Sequence, residues 1–347
     1  MTPTRRDILR SGLGAITLAG AATVGLAGPA AARAIRPQRL NAPAAAGGLN
    51  WTGWSPTAPG MITNSALACA PSTLGGTSMW LFATGAADSK IYANTTSDNQ
   101  NWNGWFEVPG NGLTDLAPSA ATGPEDQLVL TVTGQDGAIY VNITSDGSTW
   151  TGWNSIGGVT DLPPLFGPFA SQFYAVGTDS QIYSNSTTDL SSFSGWTPVP
   201  GNGLTNAGLS YADIGGINVL FATGTDNAIY YNEISAGPGE ATTQGGTWLQ
   251  VAGGGLTDAA PAGVQAPGLD FINWCLFVKG YQSQQIYINR ASGSPLNFGG
   301  WEEVPGGGRT NVALCPTIAD SPNGHSLGQL LLFAVGPDNV PYVNVGS

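Results

Sequence analysis

Aromatic side chains recur in this sequence at two spacings that could do chemistry. Trp54, Trp105, Trp153, Trp196, Trp248 and Trp301 hold a strictly repeated place, and three residues earlier stand Trp51, Trp102, Trp150, Phe193 and Phe298, with Gly245 in the fifth copy. An indole offers a flat apolar face for sugar C–H groups and one N–H donor. The looser series lies nearer its hairpin tip and is the better placed for such a platform, while the strict series suits packing. The bland reading of the looser series is a rim aromatic that covers its own hairpin.

A second pattern supplies polar groups. Tyr92, Tyr140, Tyr183, Tyr230, Tyr287 and Tyr342 each stand two residues before an asparagine: Asn94, Asn142, Asn185, Asn232, Asn289 and Asn344. Phenol and amide groups match sugar hydroxyls, which need donors and acceptors together. The competing reading is that each Asn ties down the hairpin that follows it. Asn94, Asn142 and Asn185 also head N-x-Ser/Thr triplets, which the repeat produces as a by-product.

Catalytic constellations are weaker. His325 is the only histidine and has no fixed partner for a Ser/His or metal arrangement. Glu107, Glu302 and Glu303 follow the strict Trp but fall on an outer strand, where carboxylates are solvated. The hairpin Thr144–Trp150, TSDGSTW, resembles the Asp-box turn of sialidases one residue short, and that turn is structural. The arginine cluster a sialidase needs for its substrate's carboxylate is missing. A repeated Asp after Gly, at Asp88, Asp136, Asp179, Asp226 and Asp338, is a turn former. No catalytic residue, metal ligand or cofactor is expected.

The elements that must position these residues are short strands. Units of roughly 50 residues repeat six times. Each has a small-residue segment such as Ala117–Ala121, then an apolar run (Met79–Gly85, Gln127–Gly134, Asn218–Gly224, Leu330–Gly336), a Gly-x-Asp turn, the IYxN strand and the Trp strand. A near-continuous apolar strand is buried on both faces, and turn residues between all runs argue antiparallel four-stranded units. Six such units make an all-β, six-bladed β-propeller, with the small-residue strand at the axis and the PGxGxT segment returning from rim to axis. The last unit ends at its third strand, whereas Leu49–Pro56 reads as an outer strand with no unit before it. The N-terminal strand is therefore expected to close the sixth blade. That closure makes the strands of Cys69 and Cys315 neighbours, so one disulfide is conceivable; otherwise the three cysteines (with Cys275) serve as small buried hydrophobes.

Residues 1–34 read as a twin-arginine export signal: Arg5-Arg6, an apolar run from Gly12 to Ala27, and Ala32-Arg33-Ala34. Residues 35–48 are an Ala/Gly/Pro-rich linker and 49–347 the propeller. Losing Arg5, Arg6, Arg10, Arg33 and Asp7 takes the formal charge from −12 to about −15. Such a field repels nucleic acid and anionic membrane surfaces, and no membrane insertion is expected.

The pairing of WxGWxxVPGxGxTD with GxDxxIYxN resembles the tectonin-type and Photorhabdus-type propeller lectins and, more loosely, the Aleuria-type fucose lectins, over nearly the whole propeller. The resemblance implies a secreted multivalent sugar binder, for fucose or a methylated sugar, with glycans as partners and no catalysis. Aleuria-type sites use an Arg, and here Lys90, Lys279, Arg290 and Arg309 are scattered over the repeat. The alternatives are a secreted module for protein or cell-wall contact and, third, a glycan-cleaving enzyme. The fifth unit, with Ser235–Gly246 inserted and no Gly-x-Asp turn, is expected to have a lost or altered site.

Overall fold

In the computed structural model the described residues are 49–167, 171–214, 217–234, 246–265, 273–292, 296–319 and 328–346. Residues 1–48, expected as export signal and linker, His325 and nearly all of the insertion after Ser235 lie outside them. Strands form where β-branched and aromatic residues run between Gly and Asp turns. Six four-stranded antiparallel sheets result, the blades of a six-bladed propeller.

In blade 1 the strands, from axis to rim, are Ala68–Pro71, Met79–Thr84, Ile91–Thr96 and Phe106–Glu107. Blade 2 repeats this with Ser119–Thr122, Leu128–Thr133, Ala138–Thr144 and Asn154–Val159, and blades 3 to 5 follow in the same order. Blade 6 holds Cys315–Ala319, Gln329–Val335 and Pro341–Gly346, and its outermost strand is Ser55–Pro56. Ser55 pairs with Val343, Pro56 with Tyr342, and Trp51 bridges to Gly346. The expected closure by the N-terminal strand is thus present. Among the described residues the helical departures from β structure are single 3-10 turns at Leu74–Gly76 and Pro124–Asp126.

The apolar second strands are buried on both faces; all six residues of Met79–Thr84 are interior. Met79, Leu81 and Ala83 pack toward blade 6, whereas Trp80 and Phe82 pack toward blade 2. Every hydrophobic cluster is therefore shared by two blades, and there are six of them around the ring. One blade cannot bury both its faces alone, which is why the unit repeats. The inner strands need small residues because they converge on an axial channel of about 820 Å³.

The three cysteines are free thiols. Cys69 Sγ lies 4.0 Å from the carbonyl oxygen of Cys315 and 3.9 Å from that of Pro316, so the two strands are neighbours without a bridge. Cys275 and Cys315 are buried, and burial pushes the Cys275 thiol up to about 12.

Candidate functional site

The outer strands are not continuous, and the break sets how the two aromatic series pack. The glycine before the strict Trp has positive φ, +101° at Gly104, a conformation that L side chains rarely adopt. The chain pairs once at the looser aromatic (Thr96 with Trp102, Thr144 with Trp150, Thr187 with Phe193), kinks at the glycine, and resumes as a short strand. Blade 5, with Asn297–Glu303 in one strand, is the unbroken case.

This kink turns the looser series inward. Trp102 meets Phe333 of blade 6 edge-on at 5.7 Å, Trp150 meets Trp80 of blade 1 at 6.2 Å, and Trp51 meets Phe277 of blade 5 at 6.2 Å. Phe193 packs on Phe173 and Phe298 on Tyr231. Edge-to-face contacts of this kind are packing, so the rings expected as sugar platforms are partly engaged in the core, although Trp51, Trp102, Trp150 and Phe193 stay half-buried, as the strict series does.

The asparagines go further inside. Asn94, Asn142, Asn289 and Asn344 have no exposed surface, and Asn185 and Asn232 have 1%. Asn289 Oδ1 accepts the Gly300 N–H at 3.0 Å, and its Nδ2 donates to the Ala252 carbonyl of the preceding blade at 3.0 Å. Asn344 does the same with Gly53 and Pro305, and Asn185 with Gly195 and Ile156. Of the two readings of these residues, the hairpin tie describes the geometry, with a staple to the neighbouring blade added. Burial removes Asn94, Asn142, Asn185, Asn232 and Asn344 from a ligand's reach, and it shields the N-x-Ser/Thr triplets equally.

What remains accessible includes a groove between blades 5 and 6, and its indole–glycine contact recurs between other blades. The groove encloses about 390 Å³, with Gly306–Arg309 of the return segment on one side and Trp54, Tyr342 and Asp338 on the other. The strict Trp lies against that return. A Cβ at Gly308 would stand 2.3 Å from Trp54 Nε1, and one at Gly112 2.3 Å from Trp153 Nε1, so the second glycine of PGxG is there to admit the indole. Gly203 under Trp248 and Gly255 under Trp301 repeat the contact. In the first return, Pro59-Gly60-Met61-Ile62 lacks that glycine, and Trp105 Nε1 instead donates to the Ala58 carbonyl at 3.2 Å. The strict series is mortar between blades, as its regularity suggested, yet each of these indoles keeps a partly exposed surface.

Beside each indole stands the repeated tyrosine, also partly exposed. Its hydroxyl donates to the carboxylate of the Gly-x-Asp turn: Tyr92 to Asp88 at 2.7 Å, Tyr140 to Asp136 at 2.8 Å, Tyr183 to Asp179 at 2.9 Å, Tyr230 to Asp226 at 2.9 Å and Tyr342 to Asp338 at 2.8 Å. These Asp residues, expected as turn formers, thus have a second role. The signal for their second role was the D-x-x-x-Y spacing, kept in five units and broken in the fifth, where Tyr287 pairs instead with Gln285 Oε1 at 3.1 Å. The rim position in the return completes the groove and is aliphatic in Ile62, Leu113, Val159, Leu204 and Leu256, but Arg309 in the last. Four of these are among the exposed large hydrophobics: Ile62, Leu113, Val159 and Leu204.

In two of the Tyr–Asp pairs both partners shift. The Tyr92 hydroxyl beside Asp88, and Tyr342 beside Asp338, hold those carboxyls below their ordinary value. The same bonds raise Tyr92, Tyr140 and Tyr342, and burial followed by the Asp226 bond lifts Tyr230 to about 12. A raised tyrosine contributes stability below pH 10 that is lost as pH climbs through its folded value; a lowered Asp contributes above pH 4 and is lost in acid. Phenolate absorbance of the folded protein should therefore lag the unfolded chain between pH 10 and 12. Coincident titration curves would contradict the pairing.

The other carboxylates do not converge. Glu107 pairs with Lys90 at 2.6 Å and Glu302 with Arg290 at 3.2 Å, and Glu303 is exposed. Asp146 of the TSDGSTW turn accepts the N–H groups of Ser148 and Thr149, a structural turn as expected. Among the described residues no group of His, Cys, Asp and Glu could hold a metal ion.

No protein-family model matches the chain, and no curated protein does. Solved structures do. AofleA from Arthrobotrys oligospora is similar at 15% identity over 84% of this chain and 85% of that one, with a TM-score of 0.58. The Aleuria aurantia lectin, described as a six-bladed β-propeller with a novel fucose recognition mode, is similar at 12% identity over 80% and 89%, TM-score 0.54. The GH93 α-L-arabinofuranosidase of Fusarium graminearum, solved with arabinobiose, is similar at 13% identity over 81% and 92%, TM-score 0.58. The chain shares the six-bladed propeller fold of these proteins. At such identities the likeness is one of fold, which serves both sugar binding and sugar cleavage.

Proposed function

We propose that this is an exported, multivalent carbohydrate-binding protein whose sugar sites are the grooves between blades. The observation that carries this reading is the recurrence, around the ring, of a partly exposed indole beside a phenol held by a carboxylate. The rings offer an apolar surface to sugar C–H groups, and the Tyr–Asp pair, its one O–H already donated to the carboxylate, offers fixed acceptors to sugar hydroxyls. The motif resemblance to tectonin-type and Photorhabdus-type lectins and the fold shared with fucose-binding propellers support it. A neutral 6-deoxy or methylated sugar suits the aliphatic rim at Leu113 and Leu204. Each shallow site binds weakly, and several on one rigid ring raise avidity on a glycan-coated surface where they engage together.

The chain acts without catalysis in this reading. Glycoside hydrolysis needs two carboxyl groups flanking the bond; the 5/6 groove contributes Asp338, already engaged by the Tyr342 hydroxyl and the Val340 N–H. The exposed aliphatic ring of Ile62, Leu113, Val159 and Leu204 favours a protein partner as the second reading.

The test is a glycan-array screen of residues 35–347, followed by competition with free monosaccharide. Hits on a defined terminal sugar, displaced by that sugar, are expected. A blank array from folded protein would move the assignment to a protein partner, and turnover of an arabinofuranoside reporter would move it to an enzyme.

A further inference from the structure

The six grooves are not chemically equal. Among the described residues the cationic side chains are Lys90, Lys279, Arg290 and Arg309. The first three are each spent on a carboxylate: Glu107, Asp258 and Glu302. Arg309 has no carboxylate partner among the described residues. It is exposed, lines the groove between blades 5 and 6, and donates through Nη1 to the Ser283 carbonyl at 3.2 Å. One bond of this kind orients the guanidinium while leaving most of its five donors free.

The neighbouring turn has changed in the same sense. Ser283 occupies in blade 5 the place that Asp88, Asp136, Asp179, Asp226 and Asp338 occupy elsewhere. At one point of the ring, therefore, an aliphatic rim residue has become a cation and the adjacent turn has lost its anion. In a chain this acidic the paired exchange makes a local cationic site. The carboxylate that remains in the groove, Asp338, is bound to the Tyr342 hydroxyl and the Val340 N–H, on the blade 6 side. Trp54 and Tyr342 still supply aromatic surface.

We propose that the groove between blades 5 and 6 takes an acidic saccharide, its carboxylate on Arg309 and its ring against Trp54 and Tyr342, whereas the aliphatic-rimmed grooves take neutral sugar. A planar guanidinium matches a carboxylate with two parallel bonds, which an aliphatic side chain cannot offer. The inference rests on the reading of the grooves as sugar sites and assigns a different ligand class to one of them.

The experiment is an equilibrium titration of residues 35–347 with sodium D-glucuronate, with D-glucose as the uncharged twin and sodium sulfate as the bare anion. N-acetylneuraminate in a parallel arm distinguishes a sialic acid from a uronate as the source of the carboxylate. Glucuronate or N-acetylneuraminate should occupy one site at least tenfold more tightly than glucose or sulfate. Raising salt tenfold should weaken that site several-fold, as a partly exposed ion pair requires. Arg309→Leu installs the side chain found at Leu113 and Leu204, so it should fold, and it should abolish the tenfold preference. The Arg309→Leu chain should bind neutral array glycans as before. Acid preference untouched by Arg309→Leu, no acid binding by folded protein, or sulfate as tight as either acid would overturn the inference. Neutral binding retained in those cases would leave the wider sugar reading standing. Acid binding with a blank neutral array would overturn the neutral sites alone.

Discussion

A chain that begins at Ala58 is expected to leave the monomer peak on size-exclusion chromatography, whereas residues 49–347 stay in it. The truncation removes the strand Ser55–Pro56 and with it the closure of blade 6. Trp51, in contact with Phe277, and Trp54, seated on Gly308, go as well, uncovering a core cluster that includes Phe277, Leu330 and Leu332. Hydrogen bonds from Thr52 N to Val345 O and from Thr57 N to Pro341 O, both 2.9 Å, are lost. The strand Pro341–Gly346 then presents free N–H and C=O groups beside apolar surface, which is how sheet edges recruit other chains. A stable monomer of the truncated chain with an unchanged melting temperature would show that the ring does not depend on this closure.

Asn289→Leu is expected to cost about 2 kcal/mol of stability, read as a lower urea midpoint. The side chain is fully buried. Leucine fills nearly the same space but strands the Gly300 N–H and the Ala252 carbonyl, which are now paired at 3.0 Å each. An unsatisfied buried group costs about 1–3 kcal/mol; Gly300 is half-buried and Ala252 exposed, so water recovers part of the loss at the two groups. A change below about 0.5 kcal/mol, the scale of an ordinary surface substitution, would show that the staple between blades 4 and 5 carries no load.

The contrast between these residues shows what was legible in the sequence. Blade count, strand order and closure could be read because apolar runs, turn residues and the IYxN marker repeat in register, and local periodicity reports burial directly. The division of labour among the aromatics could not. A spacing of three between Trp102 and Trp105 says nothing of the +101° φ at Gly104 that separates them; both rings are half-buried, but the first lies edge-on to Phe333 and the second donates to the Ala58 carbonyl. The asparagines look like polar ligands because their acceptor partners, such as Pro109 O for Asn142 and Ala252 O for Asn289, lie on the preceding blade, far away in sequence. The Asp–Tyr pairs were visible as a spacing, but only the turn geometry shows that the two side chains meet.

The most direct measurement is a crystal structure of residues 35–347 soaked with the monosaccharide that competes on the array. The sugar is predicted to lie in the grooves between blades, against Trp153 and Tyr140 and their counterparts, with hydroxyls on the Asp136 carboxylate. Sugar bound only in the axial channel, or over Trp102 and Trp150 with the grooves empty, would contradict the account.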